Sequence, residues 1–191
     1  MPIHCRCYES GVILEVLQFP DPRLRQVAAE IADDAVDDEL RALASDMLET
    51  MYDEPGIGLA ATQVGVPLRL IVMDLNWSED GQRDPLVLLN PRIVEREGRS
   101  VSENEGCLSV PDLRADVTRA ERVAVEARTL EGESLRREAE GLESYCFQHE
   151  IDHLDGKLFI DRISRMKRDL YVRRRKKQLR LEALEHPAPT T

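Results

Sequence analysis

The chain has 191 residues, with 26 Lys and Arg against 37 Asp and Glu, a formal net charge of −11, and 42% hydrophobic residues. That length suits one domain with its own core, and the composition excludes wholesale disorder and the short, cysteine-dense scaffolds that rely on disulfides. The acidic balance argues against DNA or RNA as the ligand of the surface as a whole.

The first eleven residues, Met1 to Gly11, lack the apolar centre of a secretory signal. His4, Cys5 and Cys7 fall within them, and we read residues 1–11 as a flexible extension. The first patterned helix spans Asp37 to Tyr52. Leu40, Leu43, Ala44, Met47, Leu48 and Met51 recur at spacings of three and four, and Pro55-Gly56 ends it. Leu68 to Leu75 is continuously apolar and reads as a buried strand. Two short strands, Leu86 to Leu89 and Arg92 to Glu97, flank Asn90-Pro91. Val123, Val125 and Ala127 alternate with polar residues, Gly132 turns the chain, and Leu135, Arg137 and Ala139 return. Leu142 to Asp155 is helical again, with Gly156 placed to stop it. A charged helix covers Ser164 to Glu185, and residues 186–191 fray. Strands first and a helix late give an α+β class, with small antiparallel sheets around the central helix at 142–155, a C-terminal helix, and residues 12–185 as one domain. No run reaches the roughly 18 apolar residues of a membrane span, so the expected setting is the reducing cytoplasm, with no membrane partner.

The segment Gln148-His149-Glu150-Ile151-Asp152-His153-Leu154-Asp155-Gly156 carries the chemistry. His149 and His153 lie four apart, hence on one helical face, where two imidazoles can converge on one metal ion. In an H-E-x-x-H helix the glutamate reaches a water beside the metal and takes its proton. Half of the four histidines fall in this motif. A catalytic site needs a third protein ligand and an open position. Cys5, Cys7, Cys107, Cys146 and many carboxylates are candidates. Cys107 sits in Glu105-Gly106-Cys107-Leu108-Ser109, where Gly106 permits close backbone approach. The glycines of Gly56-Ile57-Gly58-Leu59-Ala60-Ala61-Thr62-Gln63 are not followed by Lys-Ser/Thr, which excludes a P-loop. An extended edge near Ile57-Gly58, able to pair with a peptide backbone, fits better.

These three blocks, in this order, resemble the signature motifs of bacterial peptide deformylases. The resemblance covers about residues 12 to 180 and includes Val16 to Arg25 and Leu86 to Pro91. It implies Cys107, His149 and His153 as metal ligands, Glu150 as general base and later acid, and Gln63 with the Leu108 amide as oxyanion hole. It implies Fe(II) in the cell, with Ni, Co or Zn taken up by purified protein. The implied reaction removes the N-formyl group from the methionine of nascent polypeptides. The implied methionine pocket involves Ile57, Leu142, Tyr145, Cys146 and the His149 ring, with Gly58 and Gly106 at the substrate backbone. Tyr145 stands where the family often has a small aliphatic residue. Two rivals are an H-E-x-x-H peptidase cutting internal bonds and a ribosome-bound module without catalysis.

The tail departs from the average charge. Arg162 to Arg180 holds ten Lys or Arg and one Asp, a surplus of nine positive charges, so the remainder carries −20. One reading is a solvated helix whose Ile163, Met166 and Leu170 pack on the body. The other, implied by the resemblance, is attachment to the ribosome.

Overall fold

The computed structural model describes residues 11–32, 34–77 and 83–185. His4, Cys5, Cys7 and the tail 186–191 therefore lie outside the described residues. Helix α1 is Asp38–Asp53. The Asp37 side chain caps it, accepting from Leu40 N at 2.9 Å, and Asp38 and Glu39 favour its positive end. Leu40, Ala44, Met47, Leu48 and Met51 are buried, as their spacing predicts, and Leu43 is half-buried.

Strands β1 (Gly58–Ala60), β2 (Leu70–Met73), β3 (Leu86–Glu97), β6 (Arg122–Arg128) and β7 (Ser134–Glu140) form an antiparallel sheet in the order β1-β2-β3-β6-β7. Helix α1 covers one face of its β1 side, packing on Leu59, Leu70, Val72 and Leu89. Helix α2, Gly141–Leu154, lies on the other face, against Ile71, Met73, Leu88, Val123 and Val125. Alternate residues of β2 thus enter two different cores, which is why its sequence is apolar throughout rather than alternating.

The two strands expected around Asn90-Pro91 are one strand with irregular register between Leu89 and Arg92. Asn90 takes a positive φ of 52° there, and its side chain exchanges two 2.8 Å bonds with the Ile31 backbone. Those bonds replace the pairing that Pro91, without an N–H, denies the ladder. The second of the expected small antiparallel sheets is the hairpin β4 (Ser100–Cys107) and β5 (Val110–Arg119), two strands that the sequence pattern did not place.

Gly156 has φ +69° and stops α2 as expected. A Cβ there would also lie 2.5 Å from the Arg25 carbonyl oxygen. Helix α3, Arg165–Glu185, follows. Its packing corrects the expectation in part. Ile163 packs on the third apolar cluster, but Met166 and Leu170 are 79% and 69% exposed. Tyr171 and Arg175 are buried in their place. They sit roughly 140° around the helix from Met166 and Leu170. Arg175 binds the Phe19 carbonyl at 3.2 Å and Gln18 Oε1 at 2.7 Å, so a cation serves as a core residue of the body. No described helix is long and apolar enough to cross a membrane.

Candidate metal centre

Leu142, Tyr145, Cys146, His149, Glu150 and His153 fall at i, i+3, i+4, i+7, i+8 and i+11 of α2, one continuous face. All but His153 line a cavity of about 750 Å³ whose opposite wall is β4 from Ser102 to Cys107. Ile57, Gly58, Gln63, Gly106 and Leu108 line it too, so every sequence-predicted substrate residue is at this cavity.

The donor atoms converge at its base. His149 Nε2 lies 3.2 Å from His153 Nε2, and Cys107 Sγ lies 3.2 Å from His153 Nε2. All three lie within 4.8 Å of one another, the one such cluster among the described residues. Two imidazole nitrogens and a thiol suit zinc or a divalent first-row transition metal. The other thiol candidate, Cys146, points its Sγ at the Ile57 carbonyl, 3.7 Å away, and stays outside the cluster. Burial and then Glu150 push that thiol up, which keeps it protonated.

Charge around the cluster also fits a cation. Burial opposes protonation of His149, yet the neighbouring Cys107 sulfur and the Glu105 carboxylate outweigh it and raise its pKa. His153 is pushed down, first by burial and then by His149, which leaves a neutral imidazole with a free lone pair. Glu105 Oε1 accepts from His149 Nδ1 at 2.8 Å. A carboxylate only accepts, so Nδ1 of His149 carries a proton, and Nε2, which faces the cluster, is the nitrogen at which a metal ion would replace a proton.

Glu105 is itself held by Arg119, at 2.5 Å and 2.7 Å. Arg119 reaches on to Asp152 Oδ2 at 3.1 Å, and Arg162 closes on the same carboxylate. Burial alone would raise Glu105, but Arg119 and His149 overcome it and hold the carboxyl down at about 2. The sequence reading missed this buried chain. Glu105 and Asp152 stood inside quoted motifs without a role, and Arg119 carried no local signal at all.

Gln63 lies in a short 3-10 turn, Ala61–Val64, and is buried. Its Oε1 accepts from Ala60 N at 2.9 Å. That fixes which end of the amide faces the site: Nε2 lies 3.2 Å from Ser109 Oγ and 3.7 Å from Cys107 Sγ. Leu108 follows Cys107 at the two-residue turn between β4 and β5. Glu150 is buried, and its Oε2 has no hydrogen-bond partner among the described residues. Burial pushes it up to about 7, in the range of a group that exchanges protons near neutrality. Gly58 makes this packing possible, since a Cβ there would lie 2.6 Å from Glu150 Oε1 and 2.9 Å from Cys146 Sγ.

Comparison with known proteins gives the family. The sequence matches the polypeptide deformylase family profile over residues 13–169. A peptide deformylase of Alkalilimnicola ehrlichii is 59% identical over 120 residues, 63% of this chain and 65% of that protein, just under two thirds of its length. The crystal structure of a peptide deformylase from Legionella pneumophila superposes with a TM-score of 0.81 at 44% identity, covering 90% of this chain and 98% of the other. One from Synechococcus elongatus, in complex with actinonin, gives 0.79 at 43% identity over 85% of this chain and 88% of the other. The α+β architecture, the match across most of the chain and the Cys-His-His cluster lead to one conclusion: the chain belongs to the polypeptide deformylase family, metallohydrolases that remove the N-formyl group from nascent polypeptides.

Proposed function

We propose that this chain hydrolyses the formamide at the N-terminal methionine of newly made polypeptides, releasing formate and a free amine. Residues 12–185 form the catalytic unit in this reading. The observation that carries it is the convergence of Cys107, His149 and His153 beside the buried Glu150 in one cavity. These three residues would hold one divalent ion, Fe(II) in the cell, with Ni, Co or Zn as substitutes in purified protein. When bound, the ion supplies Lewis acidity that lets water attack near neutral pH.

The protein's own groups then divide the work. The substrate backbone lies along β1, an edge of the sheet at Gly58, and adds to it as a strand. Gly106 lets the opposite chain approach, and Ile57, Leu142, Tyr145, Cys146 and the His149 ring surround the first side chain. Glu150 takes a proton from the attacking water as the new C–O bond forms. Gln63 Nε2–H and the Leu108 N–H donate to the formyl oxygen as negative charge builds on it. Glu150 returns the proton to the nitrogen as the C–N bond breaks, which yields the amine. Gln63→Ala should therefore lower kcat by about 10²–10³ with KM little changed, measured by formate release from formyl-Met-Ala-Ser.

The test of the whole reading is anaerobic purification with elemental analysis and a formate assay. About one equivalent of divalent metal should accompany activity, chelation should abolish both, and Fe(II), Ni(II) or Co(II) should restore both. Cleavage of an unformylated peptide at an internal bond would instead favour a peptidase.

We place the enzyme in the cytoplasm and assign α3 to the ribosome, because Arg173, Lys176, Lys177 and Arg180 are exposed on it. Truncating the helix would remove the buried Tyr171 and Arg175, so charge reversal is the sounder probe. Converting those four cations to Glu should abolish ribosome co-sedimentation at moderate salt and leave formate release from short peptides intact. Unchanged co-sedimentation rules the assignment out. Wild-type binding should weaken steeply with added salt.

A further inference from the structure

We propose that the hydrogen bond between Tyr145 and Ser100 fixes the end wall of the first-side-chain pocket, so that the enzyme selects methionine-sized, unbranched side chains against large rings. This inference rests on the deformylase reading above and concerns the selectivity of that same site.

The cavity is a groove between one face of α2 and strand β4. Its reacting end is marked by His149, Glu150 and Cys107. One helical turn toward the α2 N-terminus, about 6 Å along the axis, the same face presents Tyr145. An extended methionine side chain has that reach. The half-buried Tyr145 ring lines the groove, while its hydroxyl lies 2.7 Å from Ser100 Oγ, on the first residue of β4. The ring therefore spans from helix to strand and is held at both ends. Leu142, one turn further out, is 57% exposed, as expected of a residue on the open rim beyond a wall. With its hydrogen bond made to Ser100, the hydroxyl is committed to closing the pocket rather than to contacting substrate. A ring without that bond could swing about χ1 and χ2 and admit a longer side chain.

Size discrimination in an apolar pocket amounts to roughly 10–200-fold, which sets the range of the effect. The experiment compares kcat/KM for formyl-Phe-Ala-Ser and formyl-Met-Ala-Ser in the wild type, Tyr145→Ala, Tyr145→Phe and Ser100→Ala. Tyr145→Ala should raise the Phe/Met ratio about tenfold. Tyr145→Phe and Ser100→Ala each remove only the bond, and should raise it by the same smaller factor, about two- to fivefold. A purely structural tie would lower thermal stability without moving the ratio, and a ratio unchanged in Ser100→Ala and Tyr145→Phe overturns the inference. Ser100→Ala, outside the cavity lining, carries the test if Tyr145→Ala does not fold. Absence of formate release by the metal-loaded wild type would overturn the deformylase reading and this inference together, whereas an active wild type with unmoved ratios overturns this one alone.

Discussion

Replacing Arg119 by methionine should destabilise the protein by about 3–5 kcal/mol, the usual cost of removing one partner from a buried ion pair. The Arg119 side chain is 1% exposed and bridges Glu105 and Asp152, each 8% exposed. Removing the cation leaves Glu105 buried among acceptors with only the His149 N–H, while Asp152 keeps Arg162. For a chain of this size the thermal midpoint should fall by about 6–20 °C. Metal retention should suffer as well. Without Arg119, Glu105 no longer stands fixed to orient His149, and loss of such an outer partner typically costs about 10- to 100-fold in affinity. Arg119→Lys should not rescue fully, because one ammonium cannot reproduce a guanidinium fork that serves two carboxylates. Arg92 gives the internal contrast. It also pairs with a carboxylate, Glu126, but is 72% exposed, so Arg92→Met should change stability by less than about 1 kcal/mol. Denaturant melts of the metal-loaded proteins, with metal content measured alongside, check both. A loss below 1 kcal/mol in Arg119→Met with metal content intact would show that the network is not what holds the site.

Residues whose neighbours are close in sequence were legible in advance. The α1 stripe, the His149–His153 pair and the stop at Gly156 each follow from spacing within one helix. The β4–β5 hairpin was not. Ser100-Val101-Ser102-Glu103-Asn104-Glu105 has no apolar alternation, because one side of that strand borders the open cavity and little of it enters a core. Arg119 was invisible for a related reason: its partners are 14 and 33 positions away in the chain, and a lone arginine on a strand reads as surface. The tail erred through phase. Met166 and Leu170 are the apolar residues a helical-face argument selects, but the body supplies carbonyl and amide oxygens at Phe19 and Gln18, and these draw in Arg175 instead. A buried cation with dedicated acceptors has no signature in an apolar pattern. Cys107 was separable from Cys146 only through the family resemblance, and the structure gives the physical basis. β4 delivers the Cys107 Sγ to the imidazoles, whereas Cys146 faces the Ile57 carbonyl.

Glu150→Ala and Glu150→Gln should each lower kcat by about 10²–10⁴ while the metal stays bound, the range expected when a positioned general base is lost. The two halves of that expectation come from different observations. Metal should remain because the converging donors are Cys107, His149 and His153, with no Glu150 atom in the set. Turnover should collapse because Glu150 is the buried cavity-lining carboxylate with an oxygen left free of protein hydrogen bonds, hence available to a water's proton. Glutamine is the sharper variant. It keeps the volume that packs against Gly58 and Cys146, so a fall in rate cannot be assigned to collapse of the groove. KM for formyl-Met-Ala-Ser should move little, since the carboxylate acts on the water and not on the peptide backbone. His153→Ala serves as the opposite control: it removes a donor from the cluster, so metal and activity should disappear together. Equal turnover in Glu150→Gln and the wild type, at equal metal content, would remove Glu150 as the base and leave Glu105, a cavity-lining carboxylate already tied to Arg119 and His149, as the acidic group beside the metal ligands.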